Sequence, residues 1–278
     1  MKKILCLISA MALIMSCFMI IASAETVYPA GERILCDNIY RSGMATASYS
    51  NCIGSAAYWS TSDNTMDAAA ITEPEMSFKF NITTPGTYVI YTRAMLETNG
   101  SDSFFYNIDN TGWKERHPNA QGADFKWIDV VTCHFEAGEH TFQWHHRESG
   151  GVFDCFSVIL ADGNYRIIVD GSELKTDVEP YLENGVSMVP FRAFGEALGA
   201  EVQWLPEERA ATMTKGNVTL KVLENSDKAY FNKFPMTIAT PARIINGRFM
   251  VPARFVADNL GHNVNWYSKT NHAFIANK

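Results

Sequence analysis

Trp113 is the side chain whose type and surroundings are best suited to ligand chemistry. It lies in the strongly polar stretch Asn110-Thr-Gly-Trp-Lys-Glu-Arg116. The C–H face of a sugar ring stacks on an aromatic plane while its hydroxyl groups need fixed donors and acceptors, so a shallow sugar site combines an exposed ring with polar side chains. The pattern therefore predicts a ligand contact at Trp113, and packing at the rim of a core is the alternative.

Four histidines fall close together in the sequence, and such a group raises the question of a metal site. They are His134, His140, His145 and His146. Adjacent residues of a strand point to opposite faces of a sheet, so we expect His145 and His146 not to share a metal ion. The sequence therefore predicts no metal site among them.

The pair Arg147-Glu148 would suit a catalytic acid beside a cation that tunes it, although an ion pair at a surface or rim is the commoner arrangement. The chain contains no G-x-S-x-G, P-loop or H-E-x-x-H sequence. Two carboxylates placed for glycoside hydrolysis are not recognisable from sequence spacing. We therefore predict a protein that is not an enzyme.

Four cysteines follow the first 24 residues: Cys36, Cys52, Cys133 and Cys155. An even number is typical of disulfides in an exported protein, and the sequence leaves all three pairings open. All four precede residue 160, which predicts two bridges confined to the first folded domain. No C-x-x-C pair occurs, so zinc binding by these cysteines is not expected.

Residues 1–24 have the pattern of a secretory signal peptide. Lys2 and Lys3 precede an apolar run from Ile4 to Ile21, and Ala22-Ser-Ala24 provides a small-x-small cleavage site. A membrane anchor is the alternative reading of such a run. We expect a secreted or cell-surface protein without membrane insertion after cleavage. Its formal net charge of −7 at pH 7 argues against nucleic acid and anionic lipid as partners.

The elements that must position Trp113 have the pattern of short strands. Apolar and polar residues alternate from Met76 to Ile82, which is the period of a half-buried strand. The turn sequence Thr83-Thr-Pro-Gly86 follows and leads into the apolar run Tyr88–Tyr91. Short strands separated by turns, without a long helical period, predict an antiparallel β-sandwich over residues 25–162.

Two other tryptophans are expected to have a different role. Trp127 and Trp144 fall on alternating strand patterns rather than in a polar loop. We therefore predict that both lie in the core of the sandwich.

The last part of the chain contains a sequence repeat. Met188-Val-Pro-Phe-Arg192 returns as Met250-Val-Pro-Ala-Arg254, and the Leu-Gly and Val-x-Trp sequences that follow keep the same offset of 62 residues. In each copy Asn-Gly marks a hairpin, Pro suits the first helical position and Gly ends the helix. The pattern predicts two repeats at about 165–214 and 227–278, each with antiparallel strands and one short helix.

This paired M-V-P-x-R…L-G…V-x-W pattern resembles the small domain at the N-terminus of some copper amine oxidases, which also occurs in tandem in secreted proteins of Gram-positive bacteria. The resemblance covers about Asn164 to Lys278. It implies a small antiparallel sheet wrapped on a helix, in a domain that associates with a surface or acts as a spacer and is not the catalytic part. Asn164-Tyr165 is followed here by Arg166 rather than an acidic residue, and no large catalytic domain follows, so we expect no amine oxidase activity.

The first domain resembles the jelly-roll carbohydrate-binding modules of families 6 and 35, which have a galactose-binding-like sandwich fold. Four groups of segments carry this resemblance in a fixed order: Pro85–Arg93, Ser101–Asp109, Phe125–Trp127, and Ala137–Phe142 with Arg147–Asp154. The resemblance implies a site with one aromatic residue at Trp113 and a second at Tyr58 or Trp59. Polar candidates in the matching segments are Asp102, Arg147 and Glu148.

Two positions depart from the pattern of that family. The ligand-binding asparagine near the last strand has no counterpart in Gly150-Gly-Val-Phe153. Of the acids typical of the structural calcium site, Asp154 is present on the last strand, and the first strand retains only Asp37. We therefore expect no cofactor, with calcium at Asp37 and Asp154 as the alternative.

Together these patterns predict a mostly β protein, with a signal peptide at 1–24, a β-sandwich at 25–162 and a small α+β repeat domain at 163–278. The predicted function is non-catalytic binding of a polysaccharide or cell-wall glycan by a secreted or cell-surface protein. A structural envelope protein without a sugar ligand is the first alternative, and a small glycan hydrolase is the second.

Overall fold

The computed structural model of this protein describes residues 26–47, 49, 51–60, 67–96, 103–118, 122–148 and 150–278. The described part is mostly β, with two short α-helices. None of the helices in these ranges has the length and apolar character needed to cross a bilayer. The signal peptide predicted at residues 1–24 lies outside the described residues and stays a prediction.

The first half of the chain forms two six-stranded sheets. Sheet A has the strand order β1-β6-β11-β8-β9, with β3 beside β6, and sheet B has the order β10-β7-β12-β5-β4, with β2 beside β12. The strands of sheet A are β1 (Val27–Pro29), β3 (Tyr40–Arg41), β6 (Met76–Ile82), β8 (Phe104–Ile108), β9 (Lys114–Arg116) and β11 (Gly138–His146). Those of sheet B are β2 (Arg33–Leu35), β4 (Met44–Ala47), β5 (Ala57–Ser60), β7 (Gly86–Leu96), β10 (Gly122–Phe135) and β12 (Val152–Leu160).

Aromatic side chains fill the space between the two sheets. The apolar residues of β6 are buried and the polar ones between them are not, as the alternation predicts. The ring centroid of Phe78 lies 5.1 Å from that of Phe142, which is also on sheet A. It lies 5.2 Å from the ring centroid of Phe156 on sheet B. Trp144 is 1% exposed and contacts Phe153 at 4.5 Å. The predictions of a β-sandwich, and of Trp144 in its core, are confirmed.

The second half has its own hydrophobic core and three smaller sheets. Their strand orders are β14-β13-β25-β24 in sheet C, β15-β16-β23-β22 in sheet D and β17-β18-β19-β20-β21 in sheet E. Sheet C contains β13 (Arg166–Val169), β14 (Ser172–Glu173), β24 (His262–Tyr267) and β25 (His272–Asn277). Sheet D contains β15 (Tyr181–Glu183), β16 (Val186–Pro190), β22 (Arg243–Ile245) and β23 (Arg248–Pro252). Sheet E contains β17 (Glu201–Leu205), β18 (Ala210–Lys215), β19 (Val218–Leu223), β20 (Lys228–Phe231) and β21 (Phe234–Thr237).

One helix follows the central strand of each repeat, α1 (Phe191–Ala197) after β16 and α2 (Ala253–Asn259) after β23. These two strands pair antiparallel, and Val189 lies opposite Val251, its own counterpart 62 residues on. The two repeats are therefore related by an approximate two-fold axis through this pair. The predicted duplication of a strand-and-helix unit is present.

The helix boundaries differ from the prediction by one residue. Pro190 and Pro252 are the last residues of their strands and occupy the N-cap position, so each helix begins one residue later. Gly199 has φ +76° and Gly261 has φ +81°, the left-handed conformation that favours glycine, so the predicted helix ends are correct.

The repeat domain covers the outer face of sheet B. Trp127 lies 4.6 Å from Phe274 of sheet C, and Tyr91 lies at the same distance from Phe274. Gly171 approaches so closely that a Cβ there would lie 2.9 Å from the Trp127 indole. We call this surface, centred on Tyr91 and Trp127, the covered face. Trp127 is buried as expected, but it packs between the domains and not in the core of the sandwich.

Candidate functional site

A tight turn between β8 and β9 presents Trp113. Asp109 and Asn110 have φ of 51° and 55°, so the chain reverses through left-handed residues. The buried side chain of Asn107 accepts a hydrogen bond from the Gly112 amide at 3.1 Å. Asp109 accepts a second one from the Thr141 amide of β11 at 2.7 Å. Trp113 therefore follows a turn that is tied to the neighbouring strand.

Trp113 lies on the outer face of sheet A, which we call the open face. Its half-buried ring meets His145 edge to face, with 6.1 Å between the centroids. His145 pairs with Phe105, and Phe105 pairs with Glu115, so these residues form a row across three strands. Phe104, next to Phe105, belongs to the core between the sheets, so the row points away from that core. Phe105 is 3% exposed, so the accessible part of the open face consists of the half-buried Trp113 and His145 together with Glu115.

A network of charged groups lies beside this row. Arg147 contacts Glu115 through Nε and Glu148 through Nη1, the latter at 2.7 Å. Ser103 Oγ donates to Glu148 Oε2 at 2.7 Å, and His117 Nε2 lies 2.6 Å from Glu115 Oε1. Arg147 and Glu148 are 19% and 14% exposed, so the network is partly open to solvent. Of the predicted polar residues, Arg147 contacts Glu115 of the row, and Glu148 contacts Arg147.

The structure also contains a buried acid that sequence reasoning missed. Glu75 lies directly before β6, its Oε2 is 2.8 Å from His146 Nδ1, and its Oε1 accepts from Ser60 Oγ at 2.6 Å. Burial alone would raise the pKa of Glu75, but the hydrogen bonds from His146 and Ser60 outweigh it, and the pKa is lowered. The polar residue preceding an alternating strand was the only signal for this position.

His145 and His146 are arranged differently from the prediction. Their rings stack at 4.7 Å between centroids and 22° between planes, instead of pointing to opposite faces. They form the end of β11, where His145 Nδ1 lies 2.7 Å from the carbonyl oxygen of His146. Burial still alternates, with His145 partly exposed and His146 buried, but this local contact accompanies the turning of the two rings toward each other.

Tyr58 does not lie on the open face. It is 7% exposed, belongs to the core between the sheets and donates to Asp37 Oδ1 at 2.7 Å. The guanidinium of Arg41 covers its ring at 4.2 Å. Trp59 is partly buried and packs against the cluster of Met95 and Val152. The structure therefore joins neither residue to Trp113, and Asp102 lies outside the described residues.

The surroundings of Asp154 do not suit a calcium ion. Asp154 is 0% exposed and binds Arg93 at 2.5 Å, and the amides of Ile53 and Gly54 also donate to it. The second acid, Asp37, accepts hydrogen bonds from Ser55 and Tyr58. N–H and O–H donors directed at a carboxylate compensate its charge and oppose a cation at the same place. Arg93 already supplies the positive charge that the calcium alternative would require.

All four cysteines are free thiols, which contradicts the predicted pair of disulfides. Cys133 lies opposite Tyr88 and Cys155 lies opposite Arg93, on the two sides of β7. Five residues along a strand separate these positions by roughly 16 Å, beyond the ~7 Å limit between Cα atoms for a bridge. Cys36 belongs to the core between the sheets whereas Cys155 lies on the covered face, so these two also point apart.

Comparison with protein families gives a match in the second half of the chain. Residues 168–275 match the family model described as the copper amine oxidase N-terminal domain. A protease inhibitor of Brevibacillus choshinensis is 35% identical over 78 residues, which are 28% of this chain and 24% of that protein. The chain thus spans about a quarter of the length of this curated relative.

Solved structures similar to this chain include several carbohydrate-binding modules. The C-terminal CBM6 of the laminarinase LamC from Zobellia galactanivorans is 17% identical, with a TM-score of 0.36 over 46% of this chain and 98% of that chain. CBM6cm-2 of Cellvibrio mixtus lichenase 5A, solved with cellotriose, is 16% identical, with a TM-score of 0.36 over 47% and 97%. CBM35 of Cellvibrio japonicus Abf62 is 10% identical, with a TM-score of 0.36 over 46% and 93%. At these values the likeness does not identify a ligand.

Both resemblances noted from the sequence therefore recur in the comparisons. The first half of the chain is similar to carbohydrate-binding modules of families 6 and 35, and residues 168–275 match the copper amine oxidase N-terminal domain.

Proposed function

We propose that this protein binds a glycan on the open face of its sandwich, around Trp113. The single observation that carries the proposal is the half-buried indole of Trp113, which lies edge to face on His145 beside a partly exposed network of charged groups. A sugar ring needs an aromatic surface together with fixed polar partners, and both are present here.

The arrangement of the two domains favours this face over the opposite one. Tyr91 and Trp127 are buried against Phe274, so the aromatic side chains of the covered face are already in contact with protein. On the open face, the carboxylates of Glu115 and Glu148 retain oxygen lone pairs that accept hydrogen bonds from hydroxyl groups. A ligand of the sandwich is therefore expected on sheet A.

The proposal includes a non-catalytic role and an extracellular or cell-surface location. The location rests on the basic, apolar and small-residue pattern of residues 1–24. The repeat domain then acts as a spacer or a surface-associating module that holds the sandwich in place. Its contacts with the covered face, such as those of Phe274 with Tyr91 and Trp127, support this role.

A glycan array with residues 25–278 tests the proposal. We expect binding to one class of polysaccharide or cell-wall glycan, with loss of signal in Trp113→Ala. Phe234→Ala is a matched control, because Phe234 is another exposed aromatic residue, 73% exposed, in the repeat domain. Absence of binding to every glycan would overturn the proposal and favour a structural envelope protein. Binding that Trp113→Ala leaves unchanged would place the site elsewhere.

A further inference from the structure

Three side chains with metal-binding atoms meet at the end of β11. Glu75, His145 and His146 each offer a nitrogen or oxygen atom, and these atoms all lie within 4.8 Å of one another. Glu75 and His146 are 5% and 1% exposed, whereas His145 is only partly buried. The group is thus anchored in the protein and accessible from one side.

Hydrogen bonds to neighbouring groups fix the chemical form of these side chains. A carbonyl oxygen only accepts, so His145 Nδ1 carries the proton in its 2.7 Å contact with the His146 carbonyl, and the neutral ring keeps its lone pair on Nε2. Ser60 donates to Glu75 Oε1 at 2.6 Å and holds that carboxylate in place. Such outer contacts orient the ligands in metal sites that bind tightly.

We propose that Glu75, His145 and His146 bind a divalent transition metal ion of the zinc type. Two imidazoles and one carboxylate are donors that zinc prefers. Ligand atoms around a tetrahedral zinc lie roughly 3.4 Å apart when each bond is ~2.1 Å. The largest distance between two of the ligand atoms therefore has to shorten by about 1.4 Å on binding. Rotation of the partly exposed His145 ring supplies that movement.

The contact between Glu75 Oε2 and His146 Nδ1, at 2.8 Å, holds a proton that the metal replaces. Two bonds to the metal form, the Nδ1–H bond of His146 breaks, and the neutral ring takes up a proton from solvent at Nε2, so no net proton is released. Three protein ligands leave a fourth position for water. The site joins the start of β6 to the end of β11. It shares His145 with the proposed glycan site, but zinc binding itself does not require a glycan.

Calorimetric titration of residues 25–278 with Zn²⁺ tests the proposal. We expect one ion per chain and a heat of binding that is the same in buffers of different ionisation enthalpy, because the proton displaced from His146 Nδ1 is matched by one taken up at Nε2. His145→Ala removes a ligand that is only partly buried and should weaken binding at least about tenfold. His140→Ala is the matched control, because His140 lies on the same strand and pairs with Asp109 at 2.7 Å instead. It should leave the affinity unchanged.

Two further measurements distinguish zinc binding at Glu75, His145 and His146 from zinc binding at the cysteines. Glu75→Gln should weaken binding as His145→Ala does while the circular dichroism spectrum stays native. Co²⁺ in place of Zn²⁺ should give visible absorption without a thiolate charge-transfer band. Failure to bind one ion, equal affinity in His145→Ala, or a thiolate band from the cysteines would each overturn the proposal.

Discussion

The two outer faces of the sandwich carry similar residue types, but one face packs against the repeat domain and the other remains partly exposed. The covered face has Trp127 and Tyr91 packed on Phe274 of the repeat domain. The open face has Trp113 against His145, with charged groups beside it that remain partly exposed. A tryptophan on an outer face is therefore not by itself evidence of a ligand site, because contact with the second domain decides which indole remains available.

Ion pairs differ between the two sheets in the same way. Arg93 and Asp154 on sheet B are 2% and 0% exposed, whereas Arg147 and Glu148 beside the open face are partly exposed. Asp154→Asn leaves the Arg93 charge buried without a counter-ion and should lower the free energy of unfolding by about 3–5 kcal/mol. Glu148→Gln, the control on the open face, should change it by about 1 kcal/mol or less. Equal losses in urea denaturation would contradict the distinction between the two sheets.

Removal of the Trp127 indole from the covered face should lower the free energy of unfolding by about as much as Asp154→Asn does. Trp127→Ala removes a buried ring between the domains and should cost about 3–5 kcal/mol. It should also expose the junction near Asp162 to limited proteolysis. Both effects are measurable by thermal unfolding and by gel analysis of timed digests. An unchanged melting temperature would show that the domains do not depend on this contact.

A buried histidine makes the covered face sensitive to pH. His272 Nε2–H donates to the Leu160 carbonyl at 3.1 Å, and Nδ1 lies 3.0 Å from Tyr91 Oη, so the neutral ring is satisfied. Burial lowers the pKa of His272 to about 4 from an ordinary value of 6.5. Between pH 4 and pH 6.5 the unfolded chain binds more protons than the folded chain. The contribution of the neutral His272 ring to the free energy of unfolding is therefore complete above pH 6.5 and is lost as the pH falls toward 4.

The loss of unfolding free energy from His272 should reach up to about 3 kcal/mol at pH 4. His272→Gln has no titrating ring, so its melting temperature should fall less steeply than that of the wild type over this range. Between pH 7 and 8 the melting temperatures of the variant and of the wild type should change with pH in the same way. Parallel curves at all pH values would contradict a role for His272.

The sequence was sufficient for the parts of the fold that rest on periodic patterns. The alternation in β6, the Asn-Gly hairpins and the paired strands β16 and β23 all follow from local spacing. Pro190 ends its strand and caps the helix instead of beginning it, because a φ near −62° suits all of these positions.

The candidate site depended on information that local patterns do not hold. Tyr58 and Trp59 are adjacent, and only the pairing of β5 decides which ring enters the core. The stack of His145 on His146 arises at a strand end, where the rings turn toward each other although their burial still alternates. The contact of Trp127 is not predictable from its own strand, because its partner, Phe274, lies far away in the sequence and in the other domain.

The most direct test of the account is to measure glycan affinity and thermal stability together for Trp113→Ala and the wild type. With a ligand identified on the array, isothermal titration should show a loss of about 1–3 kcal/mol in binding free energy, the order expected for a stacked aromatic residue at a hot spot. The melting temperature should stay close to that of the wild type, because the indole is half-exposed and outside the core. Unchanged affinity, or a loss of stability as large as that of Trp127→Ala, would contradict the assignment of the open face as the binding surface.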